Sequence, residues 1–307
     1  MERHPCKPED ASLPERAYMI DGHTMSAPGV PAGLYVVATP IGNRADITLR
    51  ALATLAAVDM VAAEDTRHTG RFLSHYAITT QLVRYDEHGA AAQRPKLLAA
   101  LGEGQSIALV SDAGTPLVSD PGYRLVAEAW ANGHSVRVVP GASAPIAALS
   151  VSGLPTDRFH FAGFLPSKAA ARDKRILDLA GIPATLVLFE APHRLAATLE
   201  SLSKALGPRQ AVVARELTKR FETVERDTLD RLAARFAQTP TKGEIVVLVA
   251  PPGDAAAPTD DEVDALLAAA QEGKGAAEAA AEVAKATGLP RRDLYKRILA
   301  LRKHESG

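Results

Sequence analysis

The segment SDAGTPLVSDPG, Ser111 to Gly122, constrains this chain's fold more than any other, because it follows directly on the apolar run Ile107 to Val110. Two glycines, two prolines and two aspartates in twelve residues make a wide structured loop rather than a tight strand-to-helix turn. In open α/β sheets ligands sit in the crevice beyond the carboxyl ends of the strands, so the loop is expected to wall a binding pocket.

Around it the chain reads as α/β. Leu34–Ala38, Val58–Ala63, Ile107–Val110 and Val136–Val139 are apolar runs of strand length. They alternate with helical patterns at Thr48–Ala57, Arg94–Leu101 and Gly122–Ala131, which implies a mostly parallel sheet. Gly153, Pro155 and Asp157 interrupt the pattern and mark a domain boundary. Beyond it, strands are expected at Arg158–Phe164, Thr185–Phe189, Ala211–Arg215 and Glu244–Val249, with helices at Ala169–Leu179 and Arg194–Leu206. The domains are therefore drawn at 33–153 and 154–250. Residues 1–32, rich in proline and scattered charge, read as a disordered tail in which Met25 is an alternative initiator. The only cysteine, Cys6, lies in that tail, which excludes disulfides from the folded part and fits a reducing cytoplasm. At 47% hydrophobic and 23% charged residues the chain has a globular composition, and no signal peptide or membrane span is expected.

Residues 251–307 form a linker, Pro251–Asp261, followed by two helices about Gly288–Pro290, spaced like a helix-turn-helix. Six Lys or Arg against one Asp between Arg291 and Lys303 leave that stretch near +5, although the whole chain carries only −1. Nucleic-acid contact and a solvated terminal helix both fit this charge.

Four loops follow predicted strands: TPIGN (Thr39–Asn43), AEDTR (Ala63–Arg67), SDAGTP (Ser111–Pro116) and PGASA (Pro140–Ala144). TPIGN lacks both the G-x-G-x-x-G pattern and a Walker lysine, which disfavours a dinucleotide or a nucleoside triphosphate. Pro40 fixes φ and Gly42 permits a positive φ, so the turn can lie close to a flat ligand while presenting backbone groups. Together with GFLP (Gly163–Pro166), FEAPHR (Phe189–Arg194) and RELTKRFE (Arg215–Glu222), these blocks run in order through nearly all of residues 33–250. In them the chain resembles the tetrapyrrole methylase-like superfamily of S-adenosylmethionine-dependent methyltransferases. The likeness is closest to its branch that methylates a cytidine ribose 2′-hydroxyl in 16S rRNA of the small ribosomal subunit. TPIGN stands where tetrapyrrole-type members carry GPGD, which argues against a porphyrin substrate.

The resemblance implies two α/β domains of the tetrapyrrole methylase type, a cofactor cleft between them, a small helical appendage, a homodimer, and S-adenosylmethionine as donor with no metal. It places Pro40, Asp112, Ala113, Gly114, Ala142, Ser143, Leu188, Gly243, Glu244 and Ile245 around the donor. For Asp112 a turn-capping role is the alternative. A ribose hydroxyl is a poor acid, so a base or a cation is expected within reach of it. The catalytic candidates are Glu64, Asp65, Arg67, Glu190, Arg215 and Lys219, with His193, Arg194 and Glu216 beside them. Structural alternatives stand against them: a Glu64–Arg67 pair, Asp65 as a helix N-cap, a Glu190–Arg194 ion pair, His193 as a cap, and Arg215 and Lys219 as solvated charges. A positive track for RNA runs through Lys168, Arg172, Lys174 and Arg175, then Arg215, Lys219 and Arg220, then the terminal helix. With only 5% aromatic residues, recognition of a folded RNA or an assembled particle is expected. The competing functions are a small-molecule methyltransferase of the tetrapyrrole or diphthine type and a non-catalytic RNA-binding assembly factor.

Overall fold

A computed structural model describes residues 16–305 except 121, 240, 254–259, 272, 273 and 288. Cys6 and Gly288 fall outside these residues. The chain divides into two compact units, 1–251 and 252–307.

The first unit opens on a hairpin, β1 (Arg16–Ile20) and β2 (His23–Ala27), turned at Asp21 and Gly22, both at positive φ. Tyr18 and Ala27 are buried in the core against the first helix, so the reading of 1–32 as a disordered tail is corrected from Arg16 onward. Of the prolines that suggested disorder, Pro28 and Pro31 follow the hairpin, and Pro5, Pro8 and Pro14 lie outside the described residues.

Next comes a parallel sheet built from β3 (Gly33–Val37), β4 (Met60–Ala63), β5 (Gln81–Arg84), β6 (Ser106–Val110) and β7 (Val136–Val139), in the order β5-β4-β6-β3-β7. Between these strands run α1 (Leu49–Ala57), α2 (Thr66–His75), α3 (Ala90–Gly102) and α4 (Tyr123–Ala131). β3 and β6 are buried at every position, as strands covered on both faces must be. Thr48 and Asp65 cap the starts of α1 and α2 with their side chains.

A second sheet follows: β8 (Phe159–Phe164), β9 (Thr185–Glu190), β10 (Gln210–Arg215), β11 (Thr223–Thr228) and β12 (Ile245–Val249). Its order is β11-β10-β12-β9-β8, and only β8 and β9 run parallel. α6 (Ala169–Leu179), α7 (Leu195–Leu206) and α8 (Leu229–Gln238) cover one face. The other face is covered by α5 (Ala144–Ser152), which leaves β7 of the first sheet and packs Ala148 and Leu149 against Val187, Val212 and Val246. Ile41 of the TPIGN turn joins the same apolar cluster, so the strand tips of both sheets are locked face to face.

The second unit contains α9 (Asp260–Ala270), α10 (Ala276–Thr287) and α11 (Arg291–Glu305) around Val263, Leu267, Val283, Leu294 and Ile298. α9 is a helix that the sequence reading did not anticipate, and it starts inside the segment assigned as linker. The Arg297 guanidinium grips both oxygens of Asp264 at 2.5 and 3.1 Å, so one of the cations counted toward RNA holds α11 to α9 instead.

Candidate active site

The first sheet's tips are pinned to one another by backbone. Thr39 and Gly114 exchange N–H···O bonds of 2.9 and 3.0 Å, joining TPIGN to SDAGTP. Thr115 Oγ1 donates to the Ala142 carbonyl at 3.0 Å, joining SDAGTP to PGASA. Gly114, Leu117 and Ser119 all lie at positive φ, an unfavourable region for the two non-glycine residues, and such backbone clusters where a site over-determines it.

The second sheet's tips are held by side chains. Glu216 Oε1 accepts from the Glu244 N–H at 2.9 Å and from Lys219 Nζ at 3.0 Å, and Lys219 Nζ also reaches Glu244 Oε2 at 3.0 Å. The Glu244 N–H, with Lys219, holds the Glu216 carboxyl below its ordinary range. Burial by itself would lower Lys219, but its hydrogen bonds to Glu244 and Glu216 and their charges outweigh it, so Lys219 is raised and protonated at neutral pH.

The Lys219 stem lies over the first sheet's turn. A Cβ on Gly42 would come within 2.5 Å of Lys219 Cγ, and the Asn43 N–H donates to Thr218 Oγ1 at 3.1 Å. Gly42 is not among the positive-φ residues, which corrects the reason expected for this glycine: the position is small because a lysine crosses it.

These contacts enclose a cleft of about 290 Å³ lined by Ala113, Gly114, Ser143, Asp120, Phe164, Phe189, Glu244 and Ile245, among others. A second hollow of about 580 Å³ adjoins it, sharing Ile41, Ala113 and Glu244, and is walled further by Pro40, Asp112, Lys219, Arg44, His68, Arg71 and Phe72. Of the expected cofactor residues, Ala113, Gly114, Ser143, Glu244 and Ile245 line the cleft, while Pro40 and Asp112 line the adjoining hollow. Ala142 stands behind the cleft wall, bonded to Thr115. Leu188 is a correction: it is fully buried among the α6–α8 helices, and strand alternation turns its neighbour Phe189 to the cleft instead. Gly243 is likewise withdrawn. Its φ is +93°, and a Cβ there would meet Glu216 Cδ at 2.5 Å, so it serves the Glu216 contact rather than the cleft.

The catalytic candidates separate. Glu64, Asp65 and Arg67 face a different depression, with Arg84, Asp86 and His88. Asp65 caps α2 through the N–H groups of Arg67 and His68, and its own N–H donates to Asp112 Oδ1 at 3.0 Å. Arg67 is exposed and pairs with Asp65 at 3.5 Å, not with Glu64. Glu64 is raised, first by burial and then by the charges of Asp112 and Asp120; Asp120 is raised by its own burial and by Asp112. The Glu190 carboxylate is buried and fully engaged, by Thr198 Oγ1 at 2.5 Å, the Ala191 N–H at 2.8 Å and Arg194 at 3.2 Å. Arg194 goes on to donate to the Leu165 and Pro166 carbonyls, tying GFLP to FEAPHR. These contacts give Glu190 a structural role. Arg215 donates to Thr223 Oγ1 and the Lys242 carbonyl, and His193 is exposed outside both cavities. Lys219 alone of the six catalytic candidates lines the hollow beside the cleft, its ammonium held there by Glu216 and Glu244. In the expected RNA track, Arg172 is corrected: it is buried, with Nε donating to Ser201 at 3.1 Å.

Sequence reading missed Asp120, Phe164 and Phe189 in the cleft and Arg44, His68 and Arg71 in the hollow. Alternation along Thr185–Glu190 could have found Phe189; Arg44, His68 and Arg71 carried no pattern. Among the described residues, no cluster of three or more His, Cys, Asp or Glu is placed to hold a metal ion.

A parallel sheet and a mixed sheet meeting at their tips over the cleft form the α/β fold of the tetrapyrrole methylases, as the family match shows. The family model described as Tetrapyrrole (Corrin/Porphyrin) Methylases matches residues 33–233, and that of the RsmI C-terminal HTH domain matches residues 251–302. The crystal structure of uroporphyrin-III-C-methyltransferase from Thermus thermophilus shares the fold with TM-score 0.52 at 24% identity, covering 71% of this chain and 94% of its own. Ribosomal RNA small subunit methyltransferase I of Mesorhizobium japonicum is 54% identical over 271 residues, 88% of this chain and 92% of the relative. Its Escherichia coli O157:H7 counterpart is 45% identical, over 89% and 97%. The chain belongs to the ribosomal RNA small subunit methyltransferase I family.

Proposed function

We propose that the chain transfers a methyl group from S-adenosylmethionine to the 2′-hydroxyl of a cytidine ribose in 16S rRNA of the small ribosomal subunit, in the cytoplasm. One observation carries the reading: a cleft of about 290 Å³ opens, through shared walls at Ile41, Ala113 and Glu244, onto a hollow of about 580 Å³. The two volumes suit a small donor and an acceptor nucleotide side by side. The cleft is close to the lower edge of the roughly 300–1,000 Å³ usual for cofactor sites. Its residues fit the donor chemically. Ala113, Gly114 and Ser143 let backbone approach closely, Phe164, Phe189 and Ile245 keep the walls dry, and Asp120 and Glu244 complement a positive charge. When bound, the donor supplies an electrophilic methyl on a positively charged sulfur.

The chain's own groups then position and activate the acceptor. Lys219, kept protonated, is the cation facing the hollow where the hydroxyl oxygen gains negative charge, and it cannot serve as the base. Asp112 is the carboxylate of the hollow that takes the proton. One of its oxygens is held by the Asp65 N–H, and the other has no donor among the described residues. The low-dielectric walls and the fixed geometry do the rest. We assign the homodimer to the exposed apolar side chains of α4 and the edge strand β7, Tyr123, Trp130 and Val138, which are 75%, 62% and 62% exposed.

The test is transfer of labelled methyl to small subunits purified from a strain lacking the enzyme, with the product located by mass spectrometry of nuclease fragments. Label on a cytidine ribose is expected. Label on a base, on a corrin or porphyrin offered in its place, or no donor binding at all would each overturn the reading.

A further inference from the structure

The 580 Å³ hollow holds two guanidiniums and an imidazole for which the chemistry above has no use. Arg44 starts the single helical turn after TPIGN, and His68 and Arg71 stand one turn apart on the face of α2 that also presents Phe72. The Arg44 backbone is fixed by the Tyr76 hydroxyl, which donates to its carbonyl at 3.0 Å. Neither the Arg44 nor the Arg71 guanidinium has an ion-pair or hydrogen-bond partner among the described residues. Three other arginines around the same sheet are paired, Arg16 with Asp59 at 3.5 Å, Arg84 with Asp86 at 2.6 Å and Arg94 with Glu128 at 2.7 Å, whereas Arg44 and Arg71 share one hollow without such a partner. The hollow has two carboxylates of its own, Asp112 and Glu244, and Glu244 is already paired with Lys219. Two uncompensated guanidiniums in one recess are mutually repulsive until an anion enters, and a planar fork of donors matches phosphate oxygens.

We propose that this hollow is the acceptor-nucleotide subsite, in which Arg44 and Arg71 grip the RNA phosphates flanking the nucleotide to be methylated. The inference rests on the acceptor being RNA, as proposed above. It adds a structural requirement: a recess of this size beside the cleft receives one nucleotide turned out of its stack, not a stacked base pair. Two residues beyond Lys219 the Phe221 ring is 66% exposed, with the Arg220 guanidinium 5.6 Å from its centroid, a platform on which a neighbouring base can stack.

The experiment compares Arg44→Ala/Arg71→Ala with Arg44→Lys/Arg71→Lys and wild type. Binding to small subunits from a strain lacking the enzyme is measured across salt concentrations, and donor affinity by calorimetry. Two lost single-strand phosphate contacts reduce the slope of log affinity against log salt by about 1.4. The alanine pair is expected to show that fall and subunit binding at least about tenfold weaker, with donor affinity within about twofold of wild type. The lysine pair is expected to keep most of the slope, because the charges remain. An unchanged slope in the alanine pair overturns the subsite, and so does an equal fall in donor affinity, which would place both arginines in support of the cleft. Failure of the wild-type chain to methylate the subunits overturns the acceptor itself, and the subsite with it.

Discussion

The two sheets reach the same cleft by opposite means. The parallel sheet offers tips of small residues, joined by backbone bonds such as Thr39 to Gly114, and little side-chain chemistry of its own in the cleft. The mixed sheet offers charged side chains, and each is already engaged: Glu190 with Arg194 and Thr198, and Glu216 with Lys219 and the Glu244 N–H. One side is shaped to let a ligand come close, and the other to keep charges still. A charged residue near a cleft therefore says little until its partners are known, and the difference between Glu190 and Lys219 lies in those partners.

The sharpest way to break this contrast is at Glu190. Glu190→Ala leaves the Arg194 guanidinium and the Thr198 hydroxyl without their buried acceptor, and a loss of about 3 kcal/mol is expected, with Tm down by roughly 6–12 °C. Thermal melting checks it; unchanged melting with lost turnover would return Glu190 to the chemistry. The matching change on the parallel sheet is Gly42→Val. Its side chain would collide with the Lys219 stem and misplace the ammonium, so methyl transfer is expected to fall by about 100-fold. Melting should hardly move, since the turn is exposed, and steady-state assays that found full activity would show that Lys219 need not cross this turn. Phe221→Ala should weaken subunit binding by about fivefold, near 1 kcal/mol, without altering donor affinity. Equal subunit binding would remove the stacking platform.

The smallest effect concerns Glu64. Its folded-state pKa is raised, first by burial and then by Asp112 and Asp120, so its share of stability is full at low pH and is lost as pH rises through the raised value. Glu64→Gln escapes that loss. The variant should melt about 1 °C higher than wild type at pH 8, and the gain should vanish below about pH 4. A gain independent of pH would exclude ionisation as its cause.

Much of the parallel sheet was legible in the sequence because LYVVA and IALV are strands buried on both faces, which read as continuous apolar runs. The glycines and prolines that follow them marked the tips. β5 and β11 escaped: QLVR is short and TVERDT carries three charges in a row, as edge strands can. Leu188 was placed on the wrong side by a single residue of alternation, which only pairing in the sheet resolves. Arg44 and Arg71 could not be read from sequence at all. They are 27 positions apart, and what sets them apart is the hollow they share, a property of the folded surroundings.

The amino-terminal hairpin bears on which methionine codon can begin a working polypeptide. Met25 lies in β2, opposite Tyr18, so synthesis from that codon would omit all of β1 and the first two residues of its mate, His23 and Thr24. The Tyr18 side chain would be missing from the layer over α1, and the Val58 carbonyl would lose the Arg16 guanidinium. A chain begun at Met25 would leave that apolar side of α1 uncovered and is expected to melt at lower temperature than the full chain.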